Sequence, residues 1–211
     1  MKVLILSNGD IDDYSKIQEY IKDDSYIICA DGGVRHSSYM DITPNLIVGD
    51  LDSASNSIVE KFKKVGTQVC TFPTEKDATD TQIAVDRAID MGASEIVLAG
   101  ALGDRWDHSY ANVMLLYRIA QHDIDGYIID TKNIITISNS ILKLYGERGQ
   151  LLSLLPFGGE VHIESTSGLK YPIFNKILYM DYPLGVSNVL TSSKAQITIK
   201  AGWVLAILAQ D

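Results

Sequence analysis

The sequence has few cysteines, few basic residues and no long hydrophobic run, and each shortage excludes a class of protein. Its 211 residues include two cysteines, Cys29 and Cys70, with neither a CxxC pair nor zinc-ligand spacing. We therefore expect two buried, reduced thiols and a cytoplasmic protein. Lys and Arg number 18 against 27 Asp and Glu, a net charge of −9 that disfavours binding to nucleic acid. Without a run of about 18 apolar residues, no segment is predicted to span a membrane.

Two phosphate-binding motifs are also missing. The sequence contains no GxxxxGK[ST], which argues against a P-loop enzyme. It has no GxGxxG after its first apolar run, which argues against a dinucleotide-dependent oxidoreductase.

The first part of the chain alternates short apolar runs with helical patterns. The runs are nearly continuous and rich in Val and Ile, as in parallel strands that are covered on both faces; they are "KVLILS", "SYIICA", "NLIVGD", "TQVCTF", "EIVLAG" and "GYIID". Among the predicted helices, "DATDTQIAVDRAIDMG" ends at Gly92, and "DHSYANVMLLYRIAQ" begins with Asp107 as its N-cap. This alternation predicts an α/β domain over residues 1–138, with a doubly wound, mainly parallel, Rossmann-like sheet.

The last 70 residues or so have a different pattern. Short strand-like pieces are separated by Gly, Pro, Asn and Ser, and no helical periodicity is visible; the pieces are "GQLLSLLPFGG", "EVHIESTSG", "KILYMDYPLG", "AQITIKAGW" and "VLAILAQ". We predict a small antiparallel β-sandwich over residues 139–211.

Polar and glycine-containing clusters follow four of the predicted parallel strands. They are "DGG" at residues 31–33, "GDLDS" at 49–53, "PTEKDATD" at 73–80 and "ALGDRWDH" at 101–108. Singly, each has a simpler explanation as a turn or a helix cap, and His108 alone would more often be structural. Because the carboxyl ends of parallel strands meet at one edge, where ligands bind in open sheets, the clusters together predict a site there.

Asp50 and Asp52 are the hardest pair to explain as surface residues. In an extended segment the two side chains would point the same way, and their like charges would repel. A hard dication such as Mg²⁺ would remove that cost, and it prefers a few carboxylates together with substrate phosphates. Asp80 is expected to share a helix face with Asp77 near a helix N-terminus.

The same edge carries groups suited to phosphate. Glycines at 32, 33, 100 and 103 allow close approach of backbone N–H groups to phosphate oxygens. Lys76 and Arg105 supply positive charge, Arg105 with a planar fork. Acidic groups for a metal and basic groups for phosphate on one edge predict a Mg²⁺–nucleotide site.

On these motifs the chain resembles the thiamine pyrophosphokinase (thiamine diphosphokinase) family. "DGG", "GDLDS", "KDATD" and "GALGDRWDHSYAN" match in the first part, and "SGLKYPI" and "GVSN" match near residues 167–173 and 185–188. The resemblance extends over essentially the whole chain. It implies transfer of a pyrophosphoryl group from ATP to the hydroxyl of thiamine with release of AMP. It also implies a homodimer, in which the sandwich of one subunit and the α/β domain of the other bind thiamine.

The resemblance implies a role for each matching residue. Catalysis would involve Asp50, Asp52, Asp80 and Arg105, and Mg²⁺ would be held by Asp31, Asp50, Asp52 and Asp80. ATP would contact Asp31, Gly32, Gly33, Lys76, Asp77, Gly103, Arg105, Asp107 and His108. Thiamine would contact Ser187 and Asn188.

Two residues depart from the family's glycine-rich turn, which usually reads closer to "GGxGGRxDH". Ala101 and Asp104 replace glycines here. We expect Ala101 to keep a negative φ, and Asp104 could adopt a left-handed conformation while adding negative charge beside the phosphates. Two alternatives stay open: another Mg²⁺-dependent phosphohydrolase or nucleotidyltransferase, and a non-catalytic nucleotide-binding module.

Overall fold

The computed structural model describes residues 1–22, 24–73 and 77–210. The chain forms two compact units, Met1–Thr131 and Lys132–Asp211. The sequence-based boundary after residue 138 falls seven residues later. The difference arises from a strand at Asn133–Ser138, which pairs with the last strand of the chain and is therefore part of the second unit.

The first unit contains a parallel sheet of six strands. They are β1 (Lys2–Leu6), β2 (Tyr26–Ala30), β3 (Leu46–Gly49), β4 (Gln68–Thr71), β5 (Glu95–Ala99) and β6 (Asp125–Ile129). Their order across the sheet is β6-β5-β1-β2-β3-β4, and every neighbouring pair is parallel. All six strands coincide with apolar runs of the sequence, which confirms the predicted fold class.

In the described ranges, five helices connect these strands. They are α1 (Ser15–Gln18), α2 (Val34–Tyr39), α3 (Asn56–Lys64), α4 (Asp80–Asp90) and α5 (Trp106–Ala120). A 3-10 turn at Asp31–Gly33 precedes α2. As predicted, Gly92 follows the C-cap of α4 with a left-handed φ of 75°.

The core of the first unit explains why the sequence pattern was informative. Strand residues such as Ile5, Ile28 and Leu98 have 0% exposure, as do Val85 of α4 and Leu116 of α5. Burial of each such side chain contributes about 1.5–3 kcal/mol to folding. Central strands that are covered on both faces have few positions where a polar side chain is tolerated, so polar residues concentrate where the strands end.

The strand order reverses between β1 and β5. From β1 the chain adds β2, β3 and β4 on one side and then crosses to place β5 and β6 on the other. In doubly wound sheets the crevice outside the carboxyl ends of the strands at such a switch point is the usual binding site.

The second unit is antiparallel. Its strands are β7 (Asn133–Ser138), β8 (Ile141–Tyr145), β9 (Leu151–Ser167), β10 (Phe174–Leu178), β11 (Asn188–Val189) and β12 (Lys194–Ala209). Strands β9 and β12 are long, and they pair with each other along their length. Their two ends belong to the two sheets of the sandwich, so each strand contributes to both halves of the unit. One half adds β8 and β10, and the other adds β7 and β11.

The sequence predicted β9 and β12 each as two separate strands. The glycines that suggested breaks lie within the strands instead, and the β9–β12 register shifts near residues 199–203. Such bulges bend a strand without ending it. Buried side chains of both halves, among them Leu144, Leu152, Ile163 and Ile197, form one core, in agreement with the predicted β-sandwich.

Within the described part of the chain, no helix has both the length and the apolar character needed to cross a membrane.

Asn188 acts as a structural bridge in the second unit. Its side chain is 5% exposed, and Nδ2 donates to the carbonyl oxygen of Tyr171 at 2.7 Å. Its Oδ1 accepts from the backbone N–H groups of Tyr171 at 3.0 Å and Val189 at 2.9 Å. The amide thus takes the place of a strand partner for Tyr171.

We expect Asn188→Ala to lower the free energy of unfolding by about 1–3 kcal/mol, because Tyr171 loses its partners. Urea denaturation measures the change. Asn139, an exposed asparagine in a turn of the same unit, offers the matched control, and Asn139→Ala should change stability by less than about 0.5 kcal/mol. Equal effects of the two substitutions would contradict the bridging role.

Candidate active site

An open cleft of about 760 Å³ lies at the switch point of the first unit. Its walls come from the ends of β1, β2, β3 and β5 and from the beginnings of α4 and α5. The described residues that line it are 7–10, 12, 30, 31, 50, 52, 53, 78–81, 100–105, 108, 109 and 112. The cleft therefore occupies the sheet edge that the strand-end clusters predicted.

Three carboxylates meet in this cleft. Asp31, Asp50 and Asp80 each place one oxygen within 4.8 Å of the oxygens of the other two. Asp31 is 7% exposed, and its Oδ1 has no hydrogen-bond partner among the residues that the structure describes. Carboxylate oxygens this close repel one another, and a buried oxygen without a partner is costly. We call Asp31, Asp50 and Asp80 the acidic cluster; its hard oxygen donors fit Mg²⁺.

The backbone around the acidic cluster is strained. Asp31 has a φ of 47° and Leu51 a φ of 63°, a left-handed conformation that is uncommon for residues other than glycine. Such conformations persist when the surrounding structure fixes them, and they are frequent at functional sites.

Asp52 does not join the acidic cluster. An extended segment would place Asp50 and Asp52 on one side, but the left-handed Leu51 turns the chain between them. The Asp52 N–H donates to Asp50 Oδ1 at 3.2 Å, and the Ser53 hydroxyl donates to Asp52 Oδ1 at 2.9 Å. The assumption of an extended segment was wrong. Asp52 is exposed and lines the cleft, and its role as a metal ligand stays a prediction.

Arg105 and Asp107 form an exposed ion pair at the beginning of α5. Arg105 Nη2 lies 2.6 Å from Asp107 Oδ2, and Nε lies 3.2 Å from Oδ1. These hydrogen bonds raise the pKa of Arg105 and lower the pKa of Asp107. The predicted N-cap was wrong: Arg105 precedes the first residue of α5, and Asp107 lies within the first turn, where its carboxylate binds Arg105.

Buried polar residues of α5 hold the glycine-rich turn. The Gly103 N–H donates to the Ser109 hydroxyl, which donates back to the Gly103 carbonyl, both at 3.0 Å. Asn112 Nδ2 donates to the Ala101 carbonyl at 2.7 Å. Ser109 and Asn112 were not predicted individually, although both lie in the motif that suggested the site. Gly103 lines the cleft as expected.

The two departures from the family's turn behave differently. Ala101 keeps a negative φ, as expected, and is buried. Asp104 does not adopt the left-handed conformation that the sequence suggested, and it lines the cleft together with the exposed His108. Trp106 is 74% exposed and lies beside Tyr110, with ring centroids 6.2 Å apart.

Gly32 and Gly33 are buried, and neither is among the described residues that line the cleft. A Cβ on Gly32 would lie 2.3 Å from Asn8 Oδ1, and one on Gly33 would lie 2.0 Å from the Leu6 carbonyl oxygen. Both glycines therefore allow the 3-10 turn to pack against the end of β1. Their predicted contact with ATP stays a prediction.

Two further predicted residues precede α4. Asp77 is exposed and lies outside that helix, so the expected shared helix face with Asp80 was wrong. Thr79 is the N-cap, and its hydroxyl accepts from the Gln82 N–H at 3.2 Å. Lys76 lies outside the described residues.

The loop after β1 was missed in the sequence. Ser7, Asn8, Gly9, Asp10 and Asp12 all line the cleft. The Ser7 hydroxyl lies 3.0 Å from Thr81 Oγ1, and both residues are buried. A polar run, "SNGDID", directly after the first strand was the available signal, since it falls on the same edge as the other clusters.

The two residues predicted to bind thiamine lie in the second unit. Ser187 is exposed with a φ of 58°, and its N–H donates to the Ser153 hydroxyl at 3.1 Å. The amide of Asn188 is bound to backbone groups, as described above. Their contact with thiamine stays a prediction.

Fold and site together define an α/β protein with a candidate cation and nucleotide site, followed by a β-sandwich unit. The model of the thiamin pyrophosphokinase catalytic domain matches residues 17–128, and that of the thiamin pyrophosphokinase vitamin B1 binding domain matches residues 138–204. The chain belongs to the thiamine pyrophosphokinase family, a family of transferases. The predicted family and enzyme class are thus confirmed.

Individual relatives agree with this assignment. Thiamine pyrophosphokinase of Bacillus subtilis is 29% identical over 174 residues, which cover 81% of this chain and 80% of the relative. Its crystal structure covers 100% of both chains with a TM-score of 0.91 and 25% identity. Thiamin pyrophosphokinase of Geobacillus thermodenitrificans is 27% identical, with a TM-score of 0.85 and coverage of 100% and 98%.

The acidic cluster leads to a prediction that separates Asp50 from Asp52. Asp50→Asn removes a negative charge from the acidic cluster, whereas Asp52→Asn removes a negative charge that lines the cleft outside the cluster. We expect Asp50→Asn to weaken Mn²⁺ binding at least tenfold more than Asp52→Asn does, because Mn²⁺ prefers the same oxygen ligands. Electron paramagnetic resonance titration of Mn²⁺ measures both. Equal losses would contradict a site centred on the cluster.

Proposed function

We propose that this chain transfers the pyrophosphoryl group of ATP to the hydroxyl of thiamine, giving thiamine diphosphate and AMP, in a Mg²⁺-dependent reaction. The observation that carries the proposal is the acidic cluster at the switch point, where a buried Asp31 oxygen has no hydrogen-bond partner within the described part of the chain. It lies in a chain that belongs to the thiamine pyrophosphokinase family.

The charge of the cleft supports a metal-bound nucleotide as the substrate. Arg105 is the one Lys or Arg among the described lining residues, whereas seven are aspartates: Asp10, Asp12, Asp31, Asp50, Asp52, Asp80 and Asp104. A bare triphosphate would be repelled from this surface. Mg²⁺ held by Asp31, Asp50 and Asp80 would stabilise negative charge on the phosphates in the transition state.

The remaining roles follow from how the side chains are placed. Phosphoryl transfer depends mainly on positioning and charge stabilisation. Arg105 presents a planar fork at the edge of the cleft; we propose that it exchanges Asp107 for a phosphate, with His108 beside it and Gly103 providing space. Predicted ATP contacts at Lys76 and Asp77 belong to the same proposal, as does metal binding by Asp52.

The thiamine hydroxyl must lose a proton as the new bond to phosphorus forms. Carboxylates of the cleft are the groups suited to accept it.

Two further features are proposed on the family resemblance. The chain would act as a homodimer, in which Ser187 and Asn188 of one subunit and the acidic cluster of the other complete the thiamine site. It would act in the cytoplasm, which is consistent with two free cysteines, one of them buried.

A coupled assay for AMP tests the function. With ATP and Mg²⁺, we expect AMP to appear only when thiamine is added, in a one-to-one ratio with thiamine diphosphate. Arg105→Lys should retain only part of the activity, because it keeps the charge and loses the fork. AMP or phosphate release without thiamine would favour a phosphohydrolase or nucleotidyltransferase, and ATP binding without turnover would favour a non-catalytic module.

Mixing two inactive variants tests the homodimer. An Asp50→Asn protein and a Ser187→Ala/Asn188→Ala double variant should together regain part of the activity, because some heterodimers contain one intact composite site. Subunit exchange is verified separately with fluorescently labelled chains. Exchange without returning activity would place the whole site within one chain.

A further inference from the structure

Arg35 of α2 binds the loop that follows β1. Its Nη2 donates to the carbonyl oxygens of Asn8 at 2.8 Å and Gly9 at 3.2 Å, and to Asp10 Oδ1 at 2.8 Å. Its Nη1 donates to Asn8 Oδ1. One planar guanidinium thus holds three consecutive residues, all of which line the cleft. A lysine at this position could not make the same set of contacts, because it has one nitrogen where Arg35 uses two nitrogens held in one plane.

The imidazole of His36, the next residue of α2, binds the same loop. It is 1% exposed; Nε2 lies 2.9 Å from the Gly9 carbonyl oxygen and Nδ1 lies 2.8 Å from the Tyr14 hydroxyl. A carbonyl oxygen can only accept, so Nε2 carries the proton and Nδ1 accepts from Tyr14. Burial, with the charge of Arg35, lowers the pKa of His36 to about 4, so the ring is neutral at neutral pH.

The far side of this loop contacts the glycine-rich turn. The Gly9 N–H donates to the Gly100 carbonyl at 2.8 Å, and the Ser7 N–H donates to the Ala99 carbonyl at 2.8 Å. The loop therefore lies between α2 and the turn that ends at Arg105. A change in how Arg35 holds the loop would be transmitted to that turn through backbone hydrogen bonds.

Arg35 also compensates the negative charge of Asp10. Asp10 is one of the seven aspartates of the cleft, and its side chain is 94% exposed apart from its contact with Arg35. Without Arg35, Asp10 would add an uncompensated negative charge to a cleft that has to admit a polyphosphate. Exposed charges interact across about 8–10 Å at physiological ionic strength, so this charge would be felt in the cleft.

We propose that Arg35 is a positioning residue for the nucleotide: it fixes the loop of Asn8, Gly9 and Asp10 against the glycine-rich turn and neutralises Asp10. This inference rests on the proposed function for the identity of the nucleotide. It predicts that Arg35 controls the affinity for Mg²⁺–ATP and leaves the affinity for thiamine unchanged.

Steady-state kinetics with each substrate varied in turn provide the test. Arg35→Met should raise KM for ATP about tenfold, because the loop loses the hydrogen bonds that hold it and Asp10 loses its partner, with KM for thiamine unchanged within twofold. The KM for ATP of Arg35→Lys should lie between the values for Arg35→Met and for the original chain. Asp10→Asn added to Arg35→Met should recover part of the loss, because it removes the exposed charge.

Arg118 provides the matched control. It also pairs with an aspartate, Asp86, with Nε 2.6 Å from Oδ1, but lies on the outer surface of α5 and α4 and not in the described lining of the cleft. Arg118→Met should leave both KM values unchanged. If Arg35→Met raised both KM values equally, or neither, the positioning role would be overturned.

Two measurements test Arg35 without turnover. Hydrogen exchange of the Gly9 amide should be faster in the nucleotide-free Arg35→Met protein than in the original chain, and calorimetric binding of Mg²⁺ with a non-hydrolysable ATP analogue should be weaker. Failure of the proposed function would appear as absent thiamine-dependent AMP, with these two differences intact. Unchanged exchange together with unchanged analogue binding would overturn the inference about Arg35 alone.

Discussion

Mutual repulsion of carboxylates at one sheet edge is the constraint on which this structure depends. Asp31, Asp50 and Asp80 bring oxygens within 4.8 Å of one another, and one of these side chains is almost fully buried. The protein keeps them there with left-handed backbone at Asp31 and Leu51, each a cost of about 1–3 kcal/mol. An arrangement that is unfavourable in the free protein becomes favourable when a cation enters. This backbone geometry therefore supports the proposed metal site.

The sequence predicted the parts of this arrangement that depend on local pattern. Strands buried on both faces must be almost continuously apolar, so six runs located six strands. Because polar residues are excluded from such strands, those at the strand ends stand out. Parallel topology then brings Asp31, Asp50 and Asp80 to one edge without knowledge of any contact. The family resemblance added the substrate class, which the residues alone left open.

What the sequence could not predict depends on particular hydrogen bonds and backbone conformations that a local pattern does not specify. Asp107 has the chemistry of an N-cap, but its carboxylate binds Arg105, and the helix begins two residues earlier than predicted. Alternation placed Asp50 and Asp52 on one side, but a left-handed Leu51 separates them. Glycines that suggested strand ends instead lie inside β9 and β12, where a partner strand continues the pairing. In the strands, pairing with a distant partner outweighed the local preference of glycine for a break. At the other two positions, a hydrogen bond between residues two apart replaced the expected geometry.

Both arginines beside the cleft, Arg35 and Arg105, are already paired with aspartates. If a phosphate takes the place of Asp107 on Arg105, as proposed, the gain is the difference between two charge-assisted pairs rather than the whole of one. Weak anions such as inorganic phosphate gain little from this exchange and meet the repulsion of the acidic cluster. Only a ligand that brings a cation to the cluster and several phosphate oxygens to the turn gains from both. If the proposed function holds, selectivity for a metal-bound nucleotide follows from the paired arginines and from the mutual repulsion of the clustered carboxylates.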